Sequence, residues 1–165
     1  MVQKKICMLG ALAVGKTSLV RRYVENLFSE KYHTTLGVKI DKKLVRVSGQ
    51  DITLVLWDLA GQENYNNIRQ SYLRGESGYL LVADKTRIST LDFALKVREV
   101  EGYFLKDIPC VLIINKWDLH GKWDLTVEAV DELRAKGWDI TNTSAKTGEG
   151  VEESFERLTM KIINC

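Results

Sequence analysis

The chain has 165 residues, 45 per cent hydrophobic and 28 per cent charged, and its 24 basic and 22 acidic residues give a formal net charge of +2. That length can bury a sizeable core without disulfide staples, so residues 1–165 are read as one domain, and the composition excludes a disordered or fibrous chain. The charges are scattered without a run of five or six like residues, which excludes a nucleic-acid-binding tract; Cys7, Cys110 and Cys165 lack metal-ligand spacing and point to a reducing, cytoplasmic setting.

Lys4-Lys5 and the apolar stretch Ile6 to Val14 superficially copy a secretory signal, but the stretch is short and cleavage after Ala13 would cut through a phosphate-binding motif. No apolar run approaches the roughly 18 residues of a membrane span, and Val2 excludes N-myristoylation. Lys5 to Leu9 is a short apolar run ending at Gly10, and Thr17 to Val24 then carries apolar residues at helical spacing, so strand, loop and helix follow directly. Lys39 to Val47 and Asp51 to Trp57 alternate apolar with polar residues around Ser48-Gly49-Gln50, the pattern of an antiparallel hairpin. Tyr79 to Ala83 and Cys110 to Asn115 are continuous apolar runs, expected of parallel strands covered on both faces, and Pro109 opens the second of them. Leu91 to Phe104, Thr126 to Lys136 and Val151 to Ile163 have helical periodicity. The alternation predicts an α/β fold: a six-stranded, mostly parallel sheet with one antiparallel edge strand and helices on both faces, whose ligands bind at the carboxyl ends of the strands.

Gly10-Ala11-Leu12-Ala13-Val14-Gly15-Lys16-Thr17 has two glycines separated by four residues and followed by Lys and a hydroxyl residue, the phosphate-loop pattern, between a strand and a helix. The candidate phosphate-binding set is Ala13, Val14, Gly15, Lys16, Thr17 and Ser18. Consecutive N–H groups and the helix N-terminus hold the negative charge, Lys16 reaches the terminal phosphates and Thr17 ligates Mg²⁺. Asp58-Leu59-Ala60-Gly61-Gln62-Glu63 begins where a strand ends. Asp58 is placed for the metal shell, through water; Gly61 can offer its N–H to a γ-phosphate, and Gln62 can orient an attacking water.

Asn115-Lys116-Trp117-Asp118 leaves the next strand on the same rim. The carboxylate of Asp118 can accept both N1–H and the exocyclic amine of guanine, a donor pair adenine lacks, while Lys116 can cover the ring. Ser144-Ala145-Lys146 closes a further strand, where backbone amides can meet the guanine carbonyl. Phe28, a bulky apolar residue in a polar stretch, suits either stacking on a base or anchoring its loop in the core.

With these four elements in order from about Lys4 to Ile163, the sequence resembles the Ras superfamily of small GTPases, a group of P-loop NTPases built on a G domain. Tyr32-His33-Thr34-Thr35-Leu36-Gly37-Val38 and Tyr72-Leu73-Arg74-Gly75 look like the Rab branch. The resemblance implies a Mg²⁺-dependent switch that binds GTP and GDP and hydrolyses GTP, with Lys16, Thr35, Gly61 and Gln62 serving catalysis. It implies that Thr35 ligates Mg²⁺ only in the GTP state, that Phe28 packs on guanine, and that segments 28–38 and 58–74 signal to effectors, an exchange factor and a GTPase-activating protein.

Two departures from the family qualify that expectation. Leu12 and Ala13 stand where Ras has glycines; a leucine beside the γ-phosphate would crowd Gln62 or an incoming arginine, predicting slow unaided turnover, unless its side chain turns harmlessly outward. No arginine stands out in the sequence as one supplied in cis. The chain stops at Cys165, whereas a prenylation box would need its cysteine at Ile162. A soluble protein, a trimmed tail and a domain cut from a longer chain all remain open, and membrane association with them. The helical faces give no sign of an obligate dimer, so a monomer is expected. A GTP-binding scaffold or regulatory domain with impaired hydrolysis is the main alternative; a P-loop kinase would need a lid for which the segments between motifs are too short.

Overall fold

The computed structural model describes residues 1–32, 34–61, 68–120 and 125–165. Six strands, β1 (Val2–Gly10), β2 (Val38–Val47), β3 (Gln50–Leu59), β4 (Gly78–Asp84), β5 (Cys110–Asn115) and β6 (Ile140–Asn142), form one sheet in the order β2-β3-β1-β4-β5-β6. Only β2 and β3 pair antiparallel. Their hairpin closes Val47 against Gln50 through Ser48 and Gly49, both at positive φ (51° and 79°), a two-residue turn whose twist matches that of the strands.

The helices are α1 (Lys16–Glu25), α2 (Gln70–Leu73), α3 (Ile88–Val100), α4 (Gly102–Leu105), α5 (Val127–Ala135) and α6 (Val151–Ile163). Strand side chains alternate between two cores because successive residues point to opposite faces. Cys7, Leu9, Tyr79, Leu81, Leu112 and Ile114 pack with Leu73 of α2 and with α3, α4 and α5. Ile6, Met8, Leu80, Val82, Val111 and Ile113 pack with α1 and α6, where the Tyr23 and Phe155 rings stack 3.9 Å apart. Both faces are therefore covered, as the unbroken apolar runs of β4 and β5 require.

Several boundaries differ from the sequence expectation. β1 begins at Val2 rather than Lys5, because β3 supplies a parallel partner for the exposed Val2 and Gln3. The periodic run Leu91 to Phe104 is interrupted at Glu101, which has φ −87° and ψ 16°, so that α3 and the short α4 are separate elements. Thr126 is the N-cap of α5, accepting from the Ala129 amide, rather than its first turn. No described helix is long and apolar enough to cross a membrane.

Candidate functional site

A cavity of about 390 Å³ opens at the carboxyl ends of the central strands. Its walls run from the phosphate loop (Leu12, Ala13, Gly15, Lys16, Thr17, Ser18) past Phe28, Thr35 and Gly61 to Asn115, Lys116, Asp118, Ala145 and Lys146. Motifs separated by more than a hundred residues thus converge on one volume of the size that takes a small-molecule ligand.

The loop between β1 and α1 is wound tightly. Ala13 (φ 61°) and Gly15 (φ 100°) are left-handed, and Gly15 caps the N-terminus of α1 without a side-chain bond. A Cβ at Gly15 would collide with the Asn115 amide, so no larger residue fits there. The carbonyls of the loop are taken up by side chains. Lys16 Nζ donates to Gly10 O (2.9 Å) and Ala11 O (3.0 Å), Lys116 Nζ to Ala13 O (2.9 Å) and Asn115 Nδ2 to Val14 O (2.9 Å). With the carbonyls held outward, the loop's amides and the start of α1 are left for an anion.

At the other edge of the loop, Thr17, Thr35 and Asp58 meet. The Thr17 hydroxyl donates to Asp58 Oδ2 at 2.6 Å, and its oxygen lies 2.7 Å from that of Thr35, which is itself 3.5 Å from the same carboxylate oxygen. Asp58 is almost wholly buried, and its Oδ1 has no hydrogen-bond partner among the described residues. Burial holds its carboxyl above the ordinary range, against the pull of the Thr17 hydroxyl and Lys16. A buried carboxylate with an orphaned oxygen and two hydroxyls beside it forms an oxygen donor set that fits Mg²⁺. Burial likewise pushes the Lys16 ammonium down to about 8, with Asp58 opposing the shift and the nearby Arg87 adding to it.

The far end of the cavity is built on the loops that follow β5 and β6. Ser144 Oγ donates to Asp118 Oδ1 at 2.8 Å and so orients the carboxylate. Asn115 spends its side chain on protein: besides the bond to Val14, its Oδ1 accepts from Thr143 Oγ1 (3.0 Å) and the Ala145 amide (3.3 Å). It therefore straps the phosphate loop to the loop after β6. Arg22 of α1 grips that loop from the opposite side, through Ala145 O (2.8 Å) and Lys146 O (2.6 Å). Lys146 pairs with Glu30 at 3.0 Å, both on the cavity wall.

Of the residues anticipated from the sequence, Ala13, Gly15, Lys16, Thr17, Ser18, Phe28, Thr35, Gly61, Asn115, Lys116, Asp118, Ala145 and Lys146 line the cavity. Val14 lies in the α1/α6 core, Ser144 stands behind Asp118 and Asp58 stands behind the two threonines. Gln62 falls outside the described residues. Phe28 is both a wall of the cavity and a contact of the α1/α6 core. Leu12 is half-buried on the cavity wall.

Sequence reasoning missed Asp84 and Arg87. Asp84 ends β4, is almost wholly buried, and accepts from Lys116 Nζ (2.9 Å), Arg87 Nε (3.1 Å), the Thr86 hydroxyl (2.7 Å) and the Thr86 amide (2.8 Å). Burial pushes its carboxyl up, but Lys116 and Thr86 more than offset this and leave it below the ordinary range. Arg87 Nη2 donates to Leu12 O at 3.0 Å. A polar residue at the end of an apolar strand was the one available signal for Asp84.

A model of the Ras family matches residues 5–164. Curated relatives include the Ras-related protein Rab-4 of Dictyostelium discoideum, 34% identical over 161 residues covering 96% of this chain and 78% of that protein. The human Ras-related protein Rab-4B is 33% identical, with 97% and 76% covered, and the human Ras-related protein Rab-30 is 34% identical, with 97% and 80% covered. On the phosphate loop, the hydroxyl and carboxylate cluster and these matches along nearly its whole length, the chain belongs to the Ras family of small GTPases and is similar to its Rab members.

Proposed function

We propose that this chain, acting as one unit over residues 1–165, is a molecular switch that hydrolyses GTP to GDP and phosphate, with Mg²⁺ as cofactor. The observation that carries the reading is the meeting of Thr17, Thr35 and Asp58 within 3.5 Å beside Lys16, on a cavity that runs to Asp118.

In this reading Asp118, oriented by Ser144, accepts the two guanine donors, and Phe28 covers one face of the base. The amides from Ala13 to Ser18 hold the phosphate oxygens, and on nucleotide binding Lys16 exchanges its contacts with Gly10 and Ala11 for the terminal phosphates. Thr17, Thr35 and, by way of water, Asp58 would hold Mg²⁺, which would supply charge neutralisation for the transferring phosphoryl group. Gly61 offers its N–H to the γ-phosphate and Gln62 orients the water. Loss of that phosphate frees Thr35 and Gly61, and segments 28–38 and 58–74 report the change to effectors, to an exchange factor and to a GTPase-activating protein. The site is cytoplasmic, and peripheral membrane attachment would need a lipidated tail.

Leu12 favours a second reading, a GTP-binding scaffold with impaired turnover, because the residue lines the cavity beside Gly61. Single-turnover hydrolysis of preloaded GTP with Mg²⁺, against an ATP control, separates the two. Turnover of GTP alone supports the switch, retention without turnover supports the scaffold, and failure to bind GTP removes both.

A further inference from the structure

Five consecutive phosphate-loop carbonyls, Gly10 to Val14, are each engaged by a side chain. Lys16, Asn115 and Lys116 account for four of them and belong to motifs recognised in the sequence. The fifth, Leu12 O, is held by Arg87 from the start of α3. The same guanidinium binds Asp84 Oδ2, which also binds Lys116, so one buried carboxylate anchors the two cations that hold the adjacent carbonyls of Leu12 and Ala13. A rigid guanidinium fork can bridge a carboxylate and a carbonyl at once, which the single nitrogen of a lysine does with less fixed geometry.

Residue 12 is also where Gly61, two residues after β3, rests. A Cβ on Gly61 would come within 2.7 Å of Leu12 Cα and 3.1 Å of Ala11 O, so the Leu12 backbone is the surface against which Gly61 stands. Whatever fixes Leu12 fixes the distance between the phosphate loop and the Gly61 amide.

We propose that Arg87 is a positioning residue for phosphoryl transfer: by tying the Leu12 carbonyl to Asp84 it sets the phosphate loop against Gly61, and thereby the rate at which bound GTP is hydrolysed. This rests on the GTPase reading above. It acts within the chain itself, without an arginine from a partner, and it acts at the loop position where this chain carries leucine. Displacements of about 1 Å at a reacting centre cost on the order of a hundredfold in rate, whereas Asp118, the expected base selector, is oriented by Ser144 and not by Arg87.

The test uses the full chain loaded with GTP and Mg²⁺, comparing single-turnover hydrolysis with the release rate of a fluorescent GDP for the unmodified chain, Arg87→Ala and Arg87→Lys. The expected result is hydrolysis slowed at least about tenfold in Arg87→Ala, as for loss of a charged hydrogen bond. GDP release should change far less, and Arg87→Lys should recover part of the rate by keeping the pair with Asp84. Hydrolysis unchanged in Arg87→Ala overturns the proposal, as does a fall matched by equally faster GDP release, which marks general loosening. Should Arg87→Ala fail to fold, Arg87→Lys carries the comparison, and a full wild-type rate there overturns the proposal. An unmodified chain that does not hydrolyse GTP overturns the functional reading and this proposal with it. An active unmodified chain alongside an equally active Arg87→Ala removes this proposal alone.

Discussion

Gly61 stands against Leu12 so closely that the smallest side chain at 61 would place its Cβ 2.7 Å from the Leu12 Cα. The obstacle is backbone, which cannot rotate aside as a flexible side chain could. Gly61→Ala should therefore keep the segment after β3 from closing on the phosphate loop. The expected outcome is GDP binding within a few-fold of the unmodified chain and hydrolysis of bound GTP slowed by roughly a hundredfold, the scale of a misplacement of about 1 Å. Parallel titration and single-turnover assays check both halves.

Asp118 is expected to read the exocyclic amine of guanine. Inosine triphosphate lacks that amine but keeps N1–H, so the unmodified chain should prefer GTP to it by about tenfold or more, the worth of one charged hydrogen bond. In Asp118→Ala the affinity for GTP should fall while the preference collapses toward unity. Competition binding with the two nucleotides measures it, and an unchanged preference would remove Asp118 from base recognition.

Asn115 makes three side-chain bonds, to Val14, Thr143 and Ala145, which tie the phosphate loop to the loop after β6. Asn115→Ala leaves buried partners unsatisfied at about 1–3 kcal/mol each. Both thermal stability and nucleotide retention should drop, with GDP release faster by two orders of magnitude or so. A melting curve and a stopped-flow release trace of the same sample check the pair of effects.

Glu76, between α2 and β4, is buried, and neither of its carboxylate oxygens has a hydrogen-bond partner among the described residues. Burial lifts its carboxyl from an ordinary value of 4.5 to about 7, with the Cys7 thiol and Lys5, both on β1, offsetting that only in part. Folding thus favours the protonated acid. The folded form is most stable below the unfolded value, loses stability as pH rises toward the folded value near 7, and is level above it. Relative to Glu76→Gln, the unmodified chain should lose about 2–3 kcal/mol between pH 4.5 and pH 8. Urea titrations of both chains across that range check it; a pH-independent gap would refute the assignment.

Phe155 of α6 is fully buried and stacked on Tyr23 of α1, the contact that closes the core on that face of the sheet. Phe155→Ala should cost about 3–5 kcal/mol and leave the residues of the cavity in place. Calorimetry gives the first quantity, and nucleotide affinity measured well below the melting point gives the second.

The phosphate loop was legible because its chemistry is local: two glycines, a lysine and a hydroxyl between an apolar strand and an amphipathic helix leave little freedom. The buried strands were legible for a similar reason, since β4 and β5 are apolar up to their last residues, Asp84 and Asn115, and need covering on both faces. Arg87 was not legible, because nothing in Lys85-Thr86-Arg87 marks it and its contact with Leu12 spans 75 residues. Asn115 was placed on the right rim by the strand that ends there, but its ties to Val14, Thr143 and Ala145 were not legible, because they join segments up to 101 residues apart. The break at Glu101 was hidden because the apolar rhythm continues to Leu105, which packs in the same core as α3.

A loop whose carbonyls are already spoken for is preorganised. Held by Arg87, Lys116 and Asn115, its concavity forms when the strands assemble, not when an anion arrives, so the entropy of shaping it is spent in folding and is absent from the binding step. At Asn115, affinity for nucleotide and resistance to heat then draw on the same bonds. A partner seeking to eject the ligand has no need to reach it: prising Asn115 away from Val14 and the loop after β6 would soften the cradle and lower the melting temperature in the same stroke.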